Sequence, residues 1–252
     1  MSVVAALYDV HGNLPALDAV LADPAFARAD VVVVGGDVAA GPLPAEVLDR
    51  LAGLDVPVRW VRGNADREVV AHFDRGDTDH TIYGADAPAE RADAFTAGRI
   101  SGRQRDLMAG FEEVVRLDGA LYCHGSPRSD EEMITQITSP GRLSPMLEGV
   151  AADLIVCGHT HHQFELIIDG KRVVNAGSVG LPYQGDAAAF WLTLGPEVEL
   201  RRTAYDVAPA VEGFRAIPEL ADSVQASLVE PISAQEIAEL FEQRATRSEG
   251  ER

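Results

Sequence analysis

Five short apolar runs in this chain end the same way, in a polar, ligand-type residue close to a glycine: Asp9-Val10-His11, Gly36-Asp37, Gly63-Asn64, His124-Gly125 and Gly158-His159-Thr160-His161. Apolar runs of this length, bounded by glycine and separated by helical periodicity, read as buried strands of parallel βαβ units. Loops at the carboxyl ends of such strands converge on one edge of a sheet, where ligands bind. The pattern therefore constrains both the fold and the place where its chemistry is done.

The chain supports this reading in order. Residues 3–8, 31–34 and 56–61 read as strands, and residues 43–54 as a helix with Val47, Leu48 and Leu51 inward. Asn13 reads as the N-cap of a helix that puts Leu14, Leu17 and Leu21 on one face, and it is also a candidate substrate contact. Asp118-Gly119 and Asp169-Gly170 predict tight hairpin turns, because Asp-Gly accepts the positive φ of a type I′ turn. Later strands are expected at residues 154–157, 187–194 and 198–204, with antiparallel pairing dominating the second half. The class is α/β in a mixed-sheet sense: a two-sheet β-sandwich flanked by helices. Residues 1–205 form one domain with a cap-like insertion over about 74–105, and residues 206–252 form a C-terminal helical extension that frays after Arg244. Within it, Ser233-Ala234-Gln235-Glu236 is a capping box.

Bulk properties exclude several functions. A formal charge of −19 argues against nonspecific nucleic-acid binding, which depends on neutralising phosphates with a basic surface. Anionic substrates would need local positive charge, which bound metal ions can supply. No run approaches the roughly 20 apolar residues that span a bilayer, and the first residues read as a strand rather than a leader, so a cytoplasmic protein without membrane partners is expected. Cys123 and Cys157 read as buried free thiols. There is no P-loop, no Gly-x-Gly-x-x-Gly fingerprint and no Gly-x-Ser-x-Gly elbow, so Ser126 beside His124 does not suggest a serine hydrolase.

Singly, each ligand-type residue has an ordinary structural use. Asp9 could cap a helix, Asp37 and Asn64 could be turn residues, and His124 could be a hydrogen-bonded buried histidine. Together, seven such residues recurring at strand ends point to a metal site. Imidazole, carboxylate and amide ligands without thiolate suit Mn, Fe, Co, Ni or Zn, whereas calcium prefers all-oxygen cages.

In this ordered set the chain resembles the calcineurin-like metallophosphoesterase superfamily, across residues from about 5 to 180. Asn175-Ala176-Gly177-Ser178-Val179-Gly180 and His124-Gly125-Ser126-Pro127 are similar to its smaller bacterial and archaeal phosphodiesterase branch. The resemblance implies two divalent transition-metal ions. Asp9, His11 and His161 would hold the first, Asn64, His124 and His159 the second, and Asp37 would bridge them, as a two-oxygen carboxylate can. It further implies hydrolysis of a phosphoester, most directly a diester, in a small phosphorylated molecule. A protein serine/threonine phosphatase and a non-catalytic scaffold of the same fold are the alternatives.

One position departs from that pattern. Many relatives carry a histidine after the Gly-Asn pair, proposed there to protonate the leaving group, but Ala65 stands here, followed by Asp66. Asp66 is a candidate acid, with helix capping as its competing role. Arg62 and Arg128 are candidate phosphate contacts, with surface ion pairing as theirs. His162 is read as an extra surface histidine, and the C-terminal helices as a candidate homo-oligomer interface.

Overall fold

The computed structural model describes residues 2–76 and 88–250. Ten strands form two five-stranded sheets. The first has the order β10 (Val198–Thr203), β9 (Ala189–Leu194), β1 (Val4–Leu7), β2 (Val31–Val34) and β3 (Val58–Trp60). The second has the order β4 (Val114–Leu117), β5 (Ala120–Cys123), β6 (Leu154–Cys157), β8 (Lys171–Ala176) and β7 (Gln163–Ile168). Nine α-helices are described: α1 (Leu14–Leu21), α2 (Pro44–Ala52), α3 (Asn64–Arg75), α4 (Pro88–Ala97), α5 (Gly102–Ala109), α6 (Pro140–Met146), α7 (Ala208–Phe214), α8 (Ala221–Val224) and α9 (Ala234–Gly250).

The inner strands β1, β2, β5, β6 and β9 are almost wholly apolar because both of their faces are covered, whereas the edge strands β7 and β10 carry exposed polar side chains. Successive side chains point to opposite faces, and β1 shows the consequence. Val4, Ala6 and Tyr8 join Tyr122, Val156, Val174 and Leu192 in the core between the sheets. Ala5 and Leu7 pack outward with Leu17 of α1 and Leu48 of α2. On the second sheet, Leu121, Ile155 and Val173 pack outward with Leu143 and Met146 of α6. Both Asp-Gly hairpins form as expected, with φ of 50° and 86° at Asp118 and Gly119 and of 50° and 77° at Asp169 and Gly170.

Antiparallel pairing dominates the second half as expected, at β4–β5, β7–β8, β9–β10 and β9 with β1, but it is not complete. In the second sheet β5, β6 and β8 run parallel to one another, and only its edge strands β4 and β7 run antiparallel to their neighbours. The β7–β8 hairpin turns back so that β8, rather than β7, lies beside β6. Each sheet thus has a parallel centre, of β1-β2-β3 or β5-β6-β8. The ligand loops follow β1, β2, β3, β5 and β6.

Part of the segment read as a cap, residues 77–87, lies outside the described residues. The rest is packed: Ala97 and Ile100 belong to the outer core of the first sheet, and Ala92 and Phe95 pack on Ile217. In the C-terminal extension, Phe214, Val224 and Leu228 pack with Leu181 of the main domain. The Ser233 cap forms with Glu236, and α9 runs on to Gly250, so the fraying expected after Arg244 is not seen among the described residues.

Candidate metal centre

Two clusters form from the seven residues. Ligand atoms of Asp9, His11 and His161 lie within 4.8 Å of one another, and so do those of Asp37, His124 and His159. Asn64 joins the second cluster, with its Oδ1 3.2 Å from His124 Nε2. Asp37 lies between them: its Oδ2 is 3.4 Å from His124 Nε2 and 4.0 Å from His11 Nε2. These positions fit the division of ligands implied by the resemblance.

The hydrogen bonds behind the rings set their chemistry. His11 Nδ1 donates to the Ala40 carbonyl at 3.0 Å, His124 Nδ1 to Gly35 at 2.9 Å and His161 Nδ1 to Leu181 at 2.7 Å. A carbonyl only accepts, so each neutral ring keeps its proton on Nδ1 and presents a lone pair at Nε2. His11 Nε2 and His161 Nε2 face each other across 3.2 Å. Asp9 Oδ1, 3.3 Å from His161 Nε2, is fully buried without a hydrogen-bond partner. Two imidazole nitrogens converging beside a buried carboxylate oxygen that lacks a hydrogen-bond partner are suited to a cation. The donor set thus fits two ions.

Titration reflects the same crowding. Burial alone would lower His124, yet the Asp37 and Asp9 carboxylates and the Gly35 carbonyl hold it up at about 10. Burial and repulsion from His124 push His159 down to about 4. Asp9 and Asp37 are held below the usual carboxylate range: burial opposes this, but His161 prevails at Asp9 and His124 at Asp37. A bound cation compensates the carboxylates without a proton.

Local backbone follows from this crowding. Asp9, His11, Asp37, His159 and His161 have φ between 48° and 65°, left-handed values that non-glycine residues adopt at a cost. Gly63 is needed for another reason. Its φ of −88° suits any residue, but a Cβ there would lie 2.1 Å from Asp37 Oδ1.

Asp66 is fully buried behind this loop, not in the cleft. Its carboxylate accepts from the N–H groups of Asp37 at 2.8 Å, Val38 at 3.0 Å and Gly63 at 3.0 Å. Burial and the Asp37 carboxylate push it up to about 7, against those donors. The geometry gives Asp66 the capping role and the task of tying the Asp37 loop to the start of α3. Asn13 is likewise structural: its Oδ1 caps α1 at Ala16, and its Nδ2 donates to the Gly180 carbonyl and the Tyr205 hydroxyl, with no exposed surface left for a substrate. His162 is corrected from surface to interior. It is fully buried against Phe164, Nδ1 donates to the Thr160 carbonyl, and burial pushes it down to about 4.

A cleft of about 710 Å³ opens beside the second cluster, bordered by Asn64, His159, Arg128, Arg142 and Arg244. Arg128 is held by Glu132 at 2.6 Å and by the Pro145 carbonyl at 2.9 Å. Arg62 borders a neighbouring cavity of about 200 Å³, which His124 and Arg128 also line, and pairs with Glu113 at 3.0 Å. The sequence reading missed three residues here. Tyr183 stacks on His161 with ring centroids 5.3 Å apart, and Arg142 and Arg244 reach the cleft from α6 and α9. Tyr183 follows the Gly180 turn closely enough to have been suspected. Neither arginine stands near a motif.

The calcineurin-like phosphoesterase superfamily domain matches residues 1–194, and the chain belongs to that superfamily. The uncharacterized protein MJ0912 of Methanocaldococcus jannaschii is 25% identical over 239 residues, 84% of this chain and 91% of that protein. A metallophosphoesterase from Sphaerobacter thermophilus shares the fold with a TM-score of 0.73 at 22% identity, over 89% of this chain and 97% of that one. Hypothetical protein PH1004 from Pyrococcus horikoshii OT3 shares it with a TM-score of 0.75 at 17% identity, over 90% and 97%.

Proposed function

We propose that this protein hydrolyses phosphoesters of small molecules, diesters foremost, with two divalent transition-metal ions of the Mn, Fe, Co, Ni or Zn type. The observation that carries the reading is the pair of adjacent clusters, with Asp37 of the second reaching to 4.0 Å from His11 of the first, and with Asp9 Oδ1 and the Nε2 atoms of His11 and His161 converging on one point. Ions so placed would polarise phosphoryl oxygens and generate a nucleophile from water near neutral pH. Asp9, His11 and His161 would hold one, and Asn64, His124 and His159 the other, with Asp37 between. The Asn64 amide adds a ligand oxygen without adding negative charge, and the Nδ1 contacts to backbone carbonyls keep the rings in orientation. Arg128, on the cleft wall, would meet a non-bridging phosphate oxygen, while Arg62 borders the adjoining cavity beside His124 and is paired with Glu113. Since Asp66 spends its carboxylate on backbone donors, the proton for the leaving group comes from elsewhere, with solvent in the open cleft as the simplest source.

A cytoplasmic setting agrees with two buried free cysteines, and no described helix is long and apolar enough to cross a membrane. The test is a hydrolysis screen of aryl diesters, aryl monoesters, cyclic nucleotides and a phosphopeptide, with each divalent metal in turn. Chelation should abolish turnover and metal should restore it. Asp37→Ala and His161→Ala should each lose bound metal and more than the roughly 10–100-fold that removal of an outer-shell partner costs. Full turnover in a metal-free variant would sink the reading, and a preference for the phosphopeptide would favour the protein phosphatase.

A further inference from the structure

The family match ends at residue 194, yet α9 borders the same cleft as Asn64 and His159. Its placement is specified by side chains. Glu242 accepts a hydrogen bond from Thr135 Oγ1 at 2.8 Å and from the Thr138 hydroxyl, and pairs with Arg142, both members of that ion pair being largely buried. One residue earlier, Phe241 packs edge-on against Tyr183, with centroids 6.1 Å apart, and Tyr183 stacks on the ligand His161. Residues three and four apart share a helix face. The face that seats Phe241 therefore also carries Arg244 and Ala245, and both border the cleft.

The charges there are arranged rather than scattered. In a chain of formal charge −19, three guanidiniums border one cleft beside the carboxylates of Glu131 and Glu132: Arg128 and Arg142, oriented by Glu132 and Glu242, and Arg244 from α9. A volume of about 710 Å³ exceeds what one phosphoryl group needs and lies within the roughly 300–1,000 Å³ of pockets for drug-sized ligands. A planar guanidinium fork matches phosphate oxygens two at a time.

We infer that α9 completes the substrate site as a second anion subsite, in which Arg244, beside Arg142, binds a non-scissile phosphate. The preferred substrates are then small esters that carry a second phosphate some distance from the one hydrolysed. This rests on the phosphoesterase reading for the scissile group, but the subsite itself can be tested by binding alone. Calorimetry on the metal-loaded full chain would compare methylenebisphosphonate and tripolyphosphate, a short and a long polyanion, with methylphosphonate for the wild type, Arg244→Gln, Arg244→Lys and, as a control on the same helix, Arg247→Gln.

Tripolyphosphate should bind the wild type more tightly than methylphosphonate does. Arg244→Gln should weaken it about tenfold or more, the scale of a lost charged hydrogen bond, and weaken methylphosphonate much less. Arg244→Lys should recover part of the loss, and Arg247→Gln should match the wild type. In hydrolysis, the loss in Arg244→Gln should fall on KM for a diester bearing a second phosphate, thereby lowering its kcat/KM relative to an aryl diester. Equal weakening of both probes, or no change in tripolyphosphate binding, would overturn the subsite. If no phosphoester is hydrolysed with any metal, the phosphoesterase reading fails, and the binding comparison still decides the subsite.

Discussion

Five of the seven candidate ligand residues sit in left-handed backbone, whereas α9, which borders the same cleft, is regular helix throughout its described residues. The loops reach their geometry through local strain of about 1–3 kcal/mol per residue, held by the packing around them. The helix reaches its own through distant anchors, Glu242 on Thr135 and Phe241 on Tyr183. A strained loop has little room to vary, because several atoms compete for the same space. A docked helix can change the residues it presents while its anchors stay. The loops thus set the chemistry, and the helix is placed to set what is admitted to it.

Three substitutions would break or sharpen that contrast, and the largest effect is expected in the loops. Gly63→Ala places a Cβ 2.1 Å from Asp37 Oδ1 and 2.4 Å from its backbone nitrogen, so the Asp37 carboxylate must move. Metal content and turnover should fall together, and unfolding should become easier by about 1–3 kcal/mol. Retention of both metals would show that the loop yields more readily than its contacts imply.

Asp66→Asn comes next, because an amide in that place can accept at only one of its two ends, and three backbone N–H groups now depend on the carboxylate. Stability should fall by about 1–3 kcal/mol, and turnover should drop by the same factor for activated aryl esters and for esters with poor leaving groups. A loss confined to poor leaving groups would return Asp66 to the role of general acid.

Phe241→Ala should have the smallest effect. It removes the edge contact to Tyr183 while leaving the Glu242 clamp in place. A loss of about 0.5–1.5 kcal/mol is expected from the ring pair itself, together with whatever burial the partly covered side chain provides. Metal affinity should change little. A large drop in metal content would mean that α9 also holds His161 in place, and the division between chemistry and admission would blur.

Much of the centre was legible in the linear chain, since a ligand at the end of an apolar run is a local pattern. Asp9, Asp37, Asn64, His124 and His159 each stand within a few residues of the strand that positions them. Both Asp-Gly hairpins were legible for the same reason. The parallel course of β8 was not, because the hairpin signal at Asp169-Gly170 says which strands are joined but not which of them lies beside β6. The roles of Asp66 and His162 were also hidden, since the neighbours that bury them come from other parts of the chain.

The sequence by itself determined the types of ligand, their order and the edge of the sheet on which they gather, because alternation along strands and turn chemistry act over a few residues. Only the tertiary structure decided which imidazoles face one another, as His11 and His161 do from 150 positions apart, and which helix walls the cleft, as Glu242 does by reaching Thr135 across 107. Such contacts depend on how the sheets stack and where the last helix docks, and no local spacing encodes them.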